Sequence, residues 1–222
     1  NKKHLMDFSE TYLEKAEGSV HMQFMSPGQI TPLHLHLKSD EAVLLSTGRA
    51  KVDSWWGDNG TLQFATAEHA EGTVLHSPRS TGHRWQNPST TSFLANLVFT
   101  RPKFTGNLYI EPGDTKLLQG TAPGVAAPAE GLTAYLLTKE PYARTQLPML
   151  DGALSTLHVA QSYALAAEAD KPVVVVVAAG FGEVNGHALR PGTLAHVAEA
   201  STITAKEPLA LLVFDPFSVI AP

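Results

Sequence analysis

Short apolar or β-branched segments, each bounded by Gly, Pro, Asn or Asp, recur along the whole sequence of 222 residues. They have the length of single strands, and their regular spacing is typical of a β-sandwich or β-barrel. The segments are 20–25, 42–46, 50–55, 93–100, 154–160, 173–177 and 209–214. The sequence therefore predicts an all-β protein with few short helices.

Helical periodicity is confined to two stretches. Leu5, Phe8 and Tyr12 fall at i, i+3 and i+7 before Gly18, and residues 164–169 are rich in alanine. These two stretches predict the short helices of an otherwise β-rich chain.

The composition changes between residues 120 and 131, where Thr, Ala, Pro, Gly and Glu predominate. Such a segment buries little apolar surface and is typical of a linker. We therefore predict an N-terminal domain at 1–119, a linker at 120–131 and a C-terminal domain at 132–222.

Two pairs of short segments resemble each other across this linker. Gly72–His76 is similar to Gly192–His196, and Leu44–Gly48 is similar to Val176–Gly180. The pairs suggest a duplicated barrel, although matches this short also arise by chance in β-rich sequence.

The composition excludes several classes of protein. The net charge is −5 with Lys and Arg scattered singly, so we expect no nucleic-acid partner. The longest apolar run, 173–179, is far shorter than the roughly 20 residues of a membrane-spanning helix. The chain has no cysteine, so a metal would be held by His and carboxylate groups. We expect a soluble protein, either cytoplasmic or secreted after removal of an N-terminal segment, since the chain begins at Asn1.

Two histidines alternate with leucines in the segment 31–37. On a strand, the imidazoles of His34 and His36 leave from one face and form a chelating pair. Residues 38–40 can turn the chain, so Glu41 starts a second strand beside the two rings. His83 is distant in sequence and would have to be delivered by another strand.

The spacing of these residues resembles two motifs of the RmlC-like cupin superfamily. Gly28, His34, His36, Glu41 and Gly48 fit the first motif, and Gly72, Pro78, His83 and Asn87 fit the second. One position departs from the pattern, because the glycine expected two residues after Pro78 is Ser80. The departure concerns a turn and not a ligand.

The resemblance implies two antiparallel cupin barrels, each a double-stranded β-helix. In the first, His34, His36, Glu41 and His83 would bind one divalent metal ion, for which Fe, Mn, Ni, Co and Zn remain open. Four protein ligands would leave about two coordination positions for water, dioxygen or substrate.

The second barrel is expected to lack a metal site. When Gly180 is aligned with Gly48, Val173 stands at the position of Glu41; when Gly192 is aligned with Gly72, Ile203 stands at that of His83. Residues 185–186, Asn-Gly, predict a hairpin turn there.

Strand alternation also predicts a substrate pocket around the metal. Trp85 and Asn87 share the face of His83, whereas Gln23, Met25 and Phe93 could point either into the cavity or away from it. Filling of the core is the alternative role for these side chains.

These features predict a metal-dependent enzyme that acts on a small organic molecule, with Glu41 as ligand and proton acceptor. The first hypothesis is an oxygen-dependent dioxygenase similar to quercetinase-like bicupins. The alternatives are a non-redox isomerase, epimerase or lyase with the metal as Lewis acid, and a non-catalytic ligand-binding module. The sequence allows a homodimer without deciding the oligomeric state.

Overall fold

The computed structural model describes residues 7–125 and 144–218 and divides the chain into two compact units, Asn1–Ala129 and Glu130–Pro222. Both units are built from antiparallel strands, and the only helical elements in the described ranges are two 3₁₀ turns, Thr115–Gln119 and Leu150–Gly152. The predicted all-β fold with few short helices is confirmed.

The first unit contains two antiparallel sheets. A six-stranded sheet has the order β1-β2-β9-β4-β7-β11, and a five-stranded sheet has the order β10-β3-β8-β5-β6. Its strands are β1 (Asp7–Lys15), β2 (Gly18–Met25), β3 (His34–Leu35), β4 (Asp40–Thr47), β5 (Arg49–Asp58), β6 (Thr61–Ala70), β7 (Val74–Ser77), β8 (Gly82–Gln86), β9 (Leu94–Arg101), β10 (Leu108–Tyr109) and β11 (Gly124–Val125).

The core of the first unit lies between these two sheets. Alternate residues of β4, Val43 and Leu45, meet Ala50 and Val52 of β5 and Trp85 of β8 in one buried cluster. Glu41 precedes Val43 by two residues on β4, so strand alternation directs its carboxylate towards the same interior.

The second unit repeats this arrangement with fewer strands. Its sheets have the orders β12-β13-β20-β15-β18 and β14-β19-β16-β17, and they share one apolar core. The strands are β12 (Arg144–Gln146), β13 (Leu154–Val159), β14 (Ser162–Leu165), β15 (Val173–Ala179), β16 (Gly182–Val184), β17 (His187–Leu189), β18 (Leu194–Val197), β19 (Ser201–Ala205) and β20 (Leu209–Phe214).

The two units have the same internal topology. The order β2-β9-β4-β7 of the first corresponds to β13-β20-β15-β18 of the second, and β3-β8-β5-β6 corresponds to β14-β19-β16-β17. The two similar pairs of segments found in the sequence lie at equivalent places, at the ends of β4 and β15 and at the starts of β7 and β18. This agreement supports a duplicated barrel.

Both helix predictions are wrong within the described residues. Residues 7–15 form β1, which pairs with β2 along its length, and Leu5 lies outside the described residues. Residues 162–165 form β14, which pairs with β19, and no helix follows at 166–169. Pairing with a neighbouring strand overrode the weak local periodicity in both places.

The linker prediction falls partly on residues that the structure describes. Gly124 and Val125 form β11, which pairs with His76 and Leu75 of β7, whereas 126–131 lie outside the described ranges. The domain boundaries at 119 and 132 stay a prediction.

The predicted Asn-Gly turn is confirmed. Residues 185 and 186 connect β16 to β17, and both have positive φ, 49° and 77°. Two positive φ angles are what a two-residue hairpin of type I′ requires.

Candidate metal centre

Three neighbouring strands bring the four predicted metal ligands together. His34 of β3 lies directly opposite His83 of β8, Glu41 lies near the start of β4, and His36 follows β3. All four residues are buried, with at most 6% of their surface exposed.

The ligand atoms form a compact group. One ring nitrogen of each of His34, His36 and His83 lies within 4.8 Å of the others. The Glu41 carboxylate spans two of the rings, with Oε2 3.1 Å from His36 Nε2 and Oε1 3.4 Å from His83 Nε2. Three imidazoles grouped this closely could hold one metal ion between them.

Backbone carbonyls orient the three imidazole rings. The Nδ1 atom of His34 lies 3.0 Å from the Pro32 carbonyl oxygen, and that of His83 lies 3.2 Å from the Thr81 carbonyl oxygen. His36 Nδ1 makes a longer contact of 3.4 Å with the Gly106 carbonyl oxygen. A carbonyl oxygen can only accept, so each Nδ1 directs a proton at its carbonyl, and the Nε2 atoms of His36 and His83 face the carboxylate.

The protonation states of the site suit a metal. Burial is the main reason why the pKa of His34 falls to about 4 and that of His83 to about 3, so both rings are neutral at neutral pH. Burial alone would raise the pKa of Glu41, but attraction and hydrogen bonding to the histidines, His36 first, lower it to about 2. Burial would lower the pKa of His36, and the charge of Glu41 reverses this and raises it.

This donor set fits a divalent cation. With a proton on its Nδ1 atom, His83 directs its Nε2 lone pair towards a negative carboxylate. Buried acceptors that face one another are costly unless a cation lies between them. The positive charge between these groups can come either from a proton on His36 or from a metal ion. The residues present therefore fit the metal that the sequence motifs imply.

The segment that carries His34 and His36 packs against the rest of the unit through its leucines. Leu33 and Leu35 are buried against Trp55 and Leu117 in a cluster of their own. A Cβ atom at Gly82 would lie 2.2 Å from a terminal methyl of Leu117, so a larger residue there would displace this buried leucine. Alternation therefore places histidines on one face and a packed apolar layer on the other.

Two aromatic residues beside the site were missed by the sequence analysis. The ring of Phe104 stands edge-on to His36 at 5.5 Å, and Tyr109 lies 6.2 Å from His34. Both residues follow β9 in the sequence. The segment between them contains Gly106, whose carbonyl contacts His36, and at its end Tyr109 pairs with His34. Neither stands at a motif position, so no signal in the sequence marked them.

The predicted pocket residues Met25 and Trp85 lie in the buried core of the first unit. Trp85 also lines a cavity of about 140 Å³, together with Ser54, Ser77 and the histidine His69. Ser54 is the direct cross-strand partner of His83, and Ser77 that of Glu41, so both hydroxyls lie beside proposed metal ligands.

The other predicted pocket residues have different surroundings. Gln23 is buried and accepts a hydrogen bond from Asn96 at 3.4 Å. The Asn87 side chain donates to the backbone carbonyls of residues 25, 26 and 92, and Phe93 is 63% exposed. A role in substrate binding stays a prediction for all five residues.

The second unit has no equivalent group among the residues that the structure describes, where the histidine triad is the one cluster of potential ligands found. Val173 and Ile203, which align with Glu41 and His83, are buried in its apolar core. Within the same ranges, no helix is long and apolar enough to cross a membrane.

No known family model matches the chain, and no curated protein matches it. Solved structures share its fold. Bacillus subtilis oxalate decarboxylase, in its structure at pH 4.6, has a TM-score of 0.52 and 17% identity, covering 94% of this chain and 75% of its own. Pumpkin seed globulin has a TM-score of 0.54 and 11% identity, covering 90% and 77%, and hazelnut (Corylus avellana) vicilin has 0.50 and 14%, covering 90% and 74%. These similarities confirm the two-barrel cupin fold.

Proposed function

We propose that this two-barrel cupin protein is a metal-dependent enzyme that acts on a small organic molecule. Its first unit would hold one divalent ion through His34, His36, Glu41 and His83. The observation that carries the proposal is the grouping of three buried imidazoles, two of which contact one carboxylate, with each Nδ1 directed at a backbone carbonyl. Such second contacts fix the tautomer and orientation of metal-binding histidines.

When bound, the ion would supply Lewis acidity towards substrate oxygens and, if it is redox-active, the electrons for chemistry with dioxygen. The chain's own contribution starts with Glu41, which is negative at neutral pH and able to accept a proton. Phe104 and Tyr109 flank the histidines. Fe, Mn, Ni, Co and Zn all suit this ligand set. Mn gains support from the similarity to Bacillus subtilis oxalate decarboxylase, for which Mn(II) centres are described.

The cavity beside the ligands suggests the size of the substrate. A volume of about 140 Å³ is close to that of an engineered cavity of about 150 Å³ that binds benzene. Apolar walls from Val52, Leu75 and Trp85, with the hydroxyls of Ser54 and Ser77, the cross-strand partners of His83 and Glu41, suit a small apolar body that carries oxygen substituents.

Two reaction classes follow from this site. The first is an oxygen-dependent dioxygenase of the quercetinase-like kind, in which both the metal and the apolar cavity take part. The second is a non-redox lyase, decarboxylase or isomerase, which the similarity to oxalate decarboxylase favours. A ligand-binding module without catalysis is the remaining alternative.

Metal analysis of the purified protein tests the site itself. We expect about one equivalent of a transition metal in the wild type, and almost none in His36→Ala. His187→Ala, at an exposed position in the second unit, is the matched control and should retain the metal. Full metal content in His36→Ala would refute the ligand assignment.

Oxygen consumption separates the two reaction classes. Protein reconstituted with each of the five metals would be supplied with catechol, a ring with two oxygens, and with oxalate. Oxygen uptake with a ring substrate supports the dioxygenase, and carbon dioxide release from oxalate without net oxygen uptake supports the second class. If the protein binds the metal but consumes neither these probes nor a wider set of small oxygenated molecules, the result supports the ligand-binding module.

A further inference from the structure

The second unit has an open groove between the edges of its two sheets. β18 is the last strand of one sheet and β17 the last strand of the other, and no described strand continues either edge. A cavity of about 550 Å³ lies between them. We call this cavity the edge groove, and define it by residues 184–189 and 193–199.

The edge groove has an apolar floor and a polar rim. Val184, Leu189 and Val197 form the floor and belong to the buried core of the unit. His187 and His196 are exposed on the rim. Unpaired strand edges beside apolar surface form a template for one more strand.

The equivalent gap in the first unit is already occupied. It lies between β6 and β7, where β11 pairs with β7 through Gly124 opposite His76 and Val125 opposite Leu75. Pro123 and Gly124 line the smaller cavity of about 140 Å³ that remains there. A short extended segment therefore covers in the first unit the strand edge that no described strand covers in the second.

The two edges also correspond residue by residue. His76 of β7 and His196 of β18 each follow a Gly-Thr pair by the same interval, and each strand pairs with the equivalent neighbour, β4 or β15. A Cβ atom on Gly124 would make ordinary contact with His76 Nδ1 at 3.5 Å, so the covering segment lies directly against the histidine and either Gly or Ala fits opposite it.

We propose that the edge groove binds an extended segment of a partner polypeptide, which adds a strand antiparallel to β18. The pairing of β11 with β7 specifies an extended backbone with Gly or Ala opposite His196, and the apolar floor favours an apolar residue beside it. Among the described residues that line the groove, Glu199 is the one charged side chain, so an acidic segment is disfavoured. This inference does not depend on the metal centre, which lies in the other unit.

The test uses the full chain and a defined peptide. A synthetic peptide copying residues 121–127, Thr-Ala-Pro-Gly-Val-Ala-Ala, would be titrated into isotope-labelled protein and followed by backbone amide shifts. We expect saturable shifts in β17 and β18. The same peptide with tryptophan in place of its glycine should bind at least about tenfold more weakly, and this comparison leaves the protein unchanged.

Two protein variants complete the experiment. Ala195→Glu puts a charge into the half-buried wall of the edge groove, whereas Ala164→Glu puts the same charge on the exposed surface of another edge strand, β14. Binding should be lost in the first variant and kept in the second, at unchanged melting temperature. Absence of shifts in β17 and β18, shifts in β7 instead, or equal binding of the tryptophan peptide would overturn the proposal. Self-association of the unliganded chain that Ala195→Glu abolishes would also overturn it, because a second copy would then be the occupant.

Discussion

Three backbone carbonyls determine which nitrogen each histidine of the candidate site presents to the carboxylate. The carbonyls of Pro32 and Thr81 lie two residues before the histidines they bind, so local chain geometry holds His34 and His83. The third belongs to Gly106, 70 residues from His36. His36 is therefore the ring whose orientation depends on a distant segment, and it is also the ring whose pKa Glu41 raises.

Glu41→Gln isolates the contribution of charge. Gln has nearly the same shape as Glu but cannot balance a divalent cation, so we expect the metal affinity to fall by more than the about 10- to 100-fold that outer-shell substitutions cost. Competition with a fluorescent chelator measures the affinity. Glu71→Gln, an exposed carboxylate at a turn, is the control. Unchanged affinity in Glu41→Gln would exclude Glu41 as a ligand.

Asp53 provides a pH-dependent contribution to stability outside the metal site. It accepts a hydrogen bond from Arg84 Nε at 3.0 Å. Burial acts to raise the pKa of Asp53, but hydrogen bonds from Arg84 and Thr66 outweigh it and lower the pKa. Because the folded pKa lies below the unfolded value near 3.9, the stabilisation is complete above about pH 4 and is lost as the pH falls through the folded pKa.

We therefore expect Asp53→Asn to be less stable than the wild type at pH 7. Arg84 is 38% exposed, so the free energy of unfolding should decrease by only about 0.5–1 kcal/mol. Urea unfolding at pH 7 and at pH 3 measures the difference, which should shrink in acid. Asp58→Asn, on the exposed end of the same strand, should show no such trend, and an Asp53→Asn effect that grows in acid would contradict the assignment.

The sequence predicted the histidines and Glu41 but not the residues around them. Alternation and motif spacing are local properties, so the convergence of His34, His36 and Glu41 could be read from a short segment. Phe104 and Tyr109 approach the rings because the chain after β9 crosses the site, and this crossing has no local signature.

Among the elements, the 3₁₀ turn Thr115–Gln119 supports the strand that carries the first two histidines. Its Leu117 is fully buried against the leucine face of the His34 segment. The turn also packs on β5, where Gly57 donates a backbone hydrogen bond to Gly120 at 3.1 Å. Close approach of these two backbones requires a residue without a Cβ atom.

Gly57→Ala tests this packing. The added Cβ would lie 2.1 Å from the Leu118 carbonyl oxygen, so the turn must move away from β5. We expect a loss of about 1–3 kcal/mol in the free energy of unfolding. Gly124→Ala is the matched control, because its Cβ would make only ordinary contacts of 3.5 and 3.6 Å with His76, and it should lie within about 0.5 kcal/mol of the wild type. Equal melting temperatures for the two variants would contradict the packing described.

At this scale the sequence predicted strands better than helices. Short apolar segments bounded by turn residues became β2, β4, β5, β9, β13, β15 and β20, because their patterns are consistent with burial between two sheets. The periodicity near Tyr12 was helical, yet β2 offered a full strand edge to pair with. The competing partner lies in tertiary structure and is not visible in a local window.

For the whole molecule, duplication of the barrel did not duplicate the site. The two units keep the same strand order, but in the second the apolar residues Val173 and Ile203 stand at the positions that align with Glu41 and His83, and they complete the core. The interior of one unit is thus packed with apolar side chains where the other has a buried polar cluster. Only the first unit should respond to the metal.

Removal of the metal tests this asymmetry. A ligand at about 1,000 times its dissociation constant stabilises the folded form by about 4 kcal/mol, and that contribution disappears when a chelator strips the ion. Hydrogen exchange followed by mass spectrometry should therefore show lost protection in β3, β4 and β8, which carry the ligands. Strands β13 and β20 of the second unit should exchange at the same rate with and without metal.

Restoring the metal should reverse the change, and His36→Ala should exchange like the metal-free protein throughout. A uniform change over both units would contradict a site confined to the first, and no change in β3, β4 and β8 would contradict the metal centre itself.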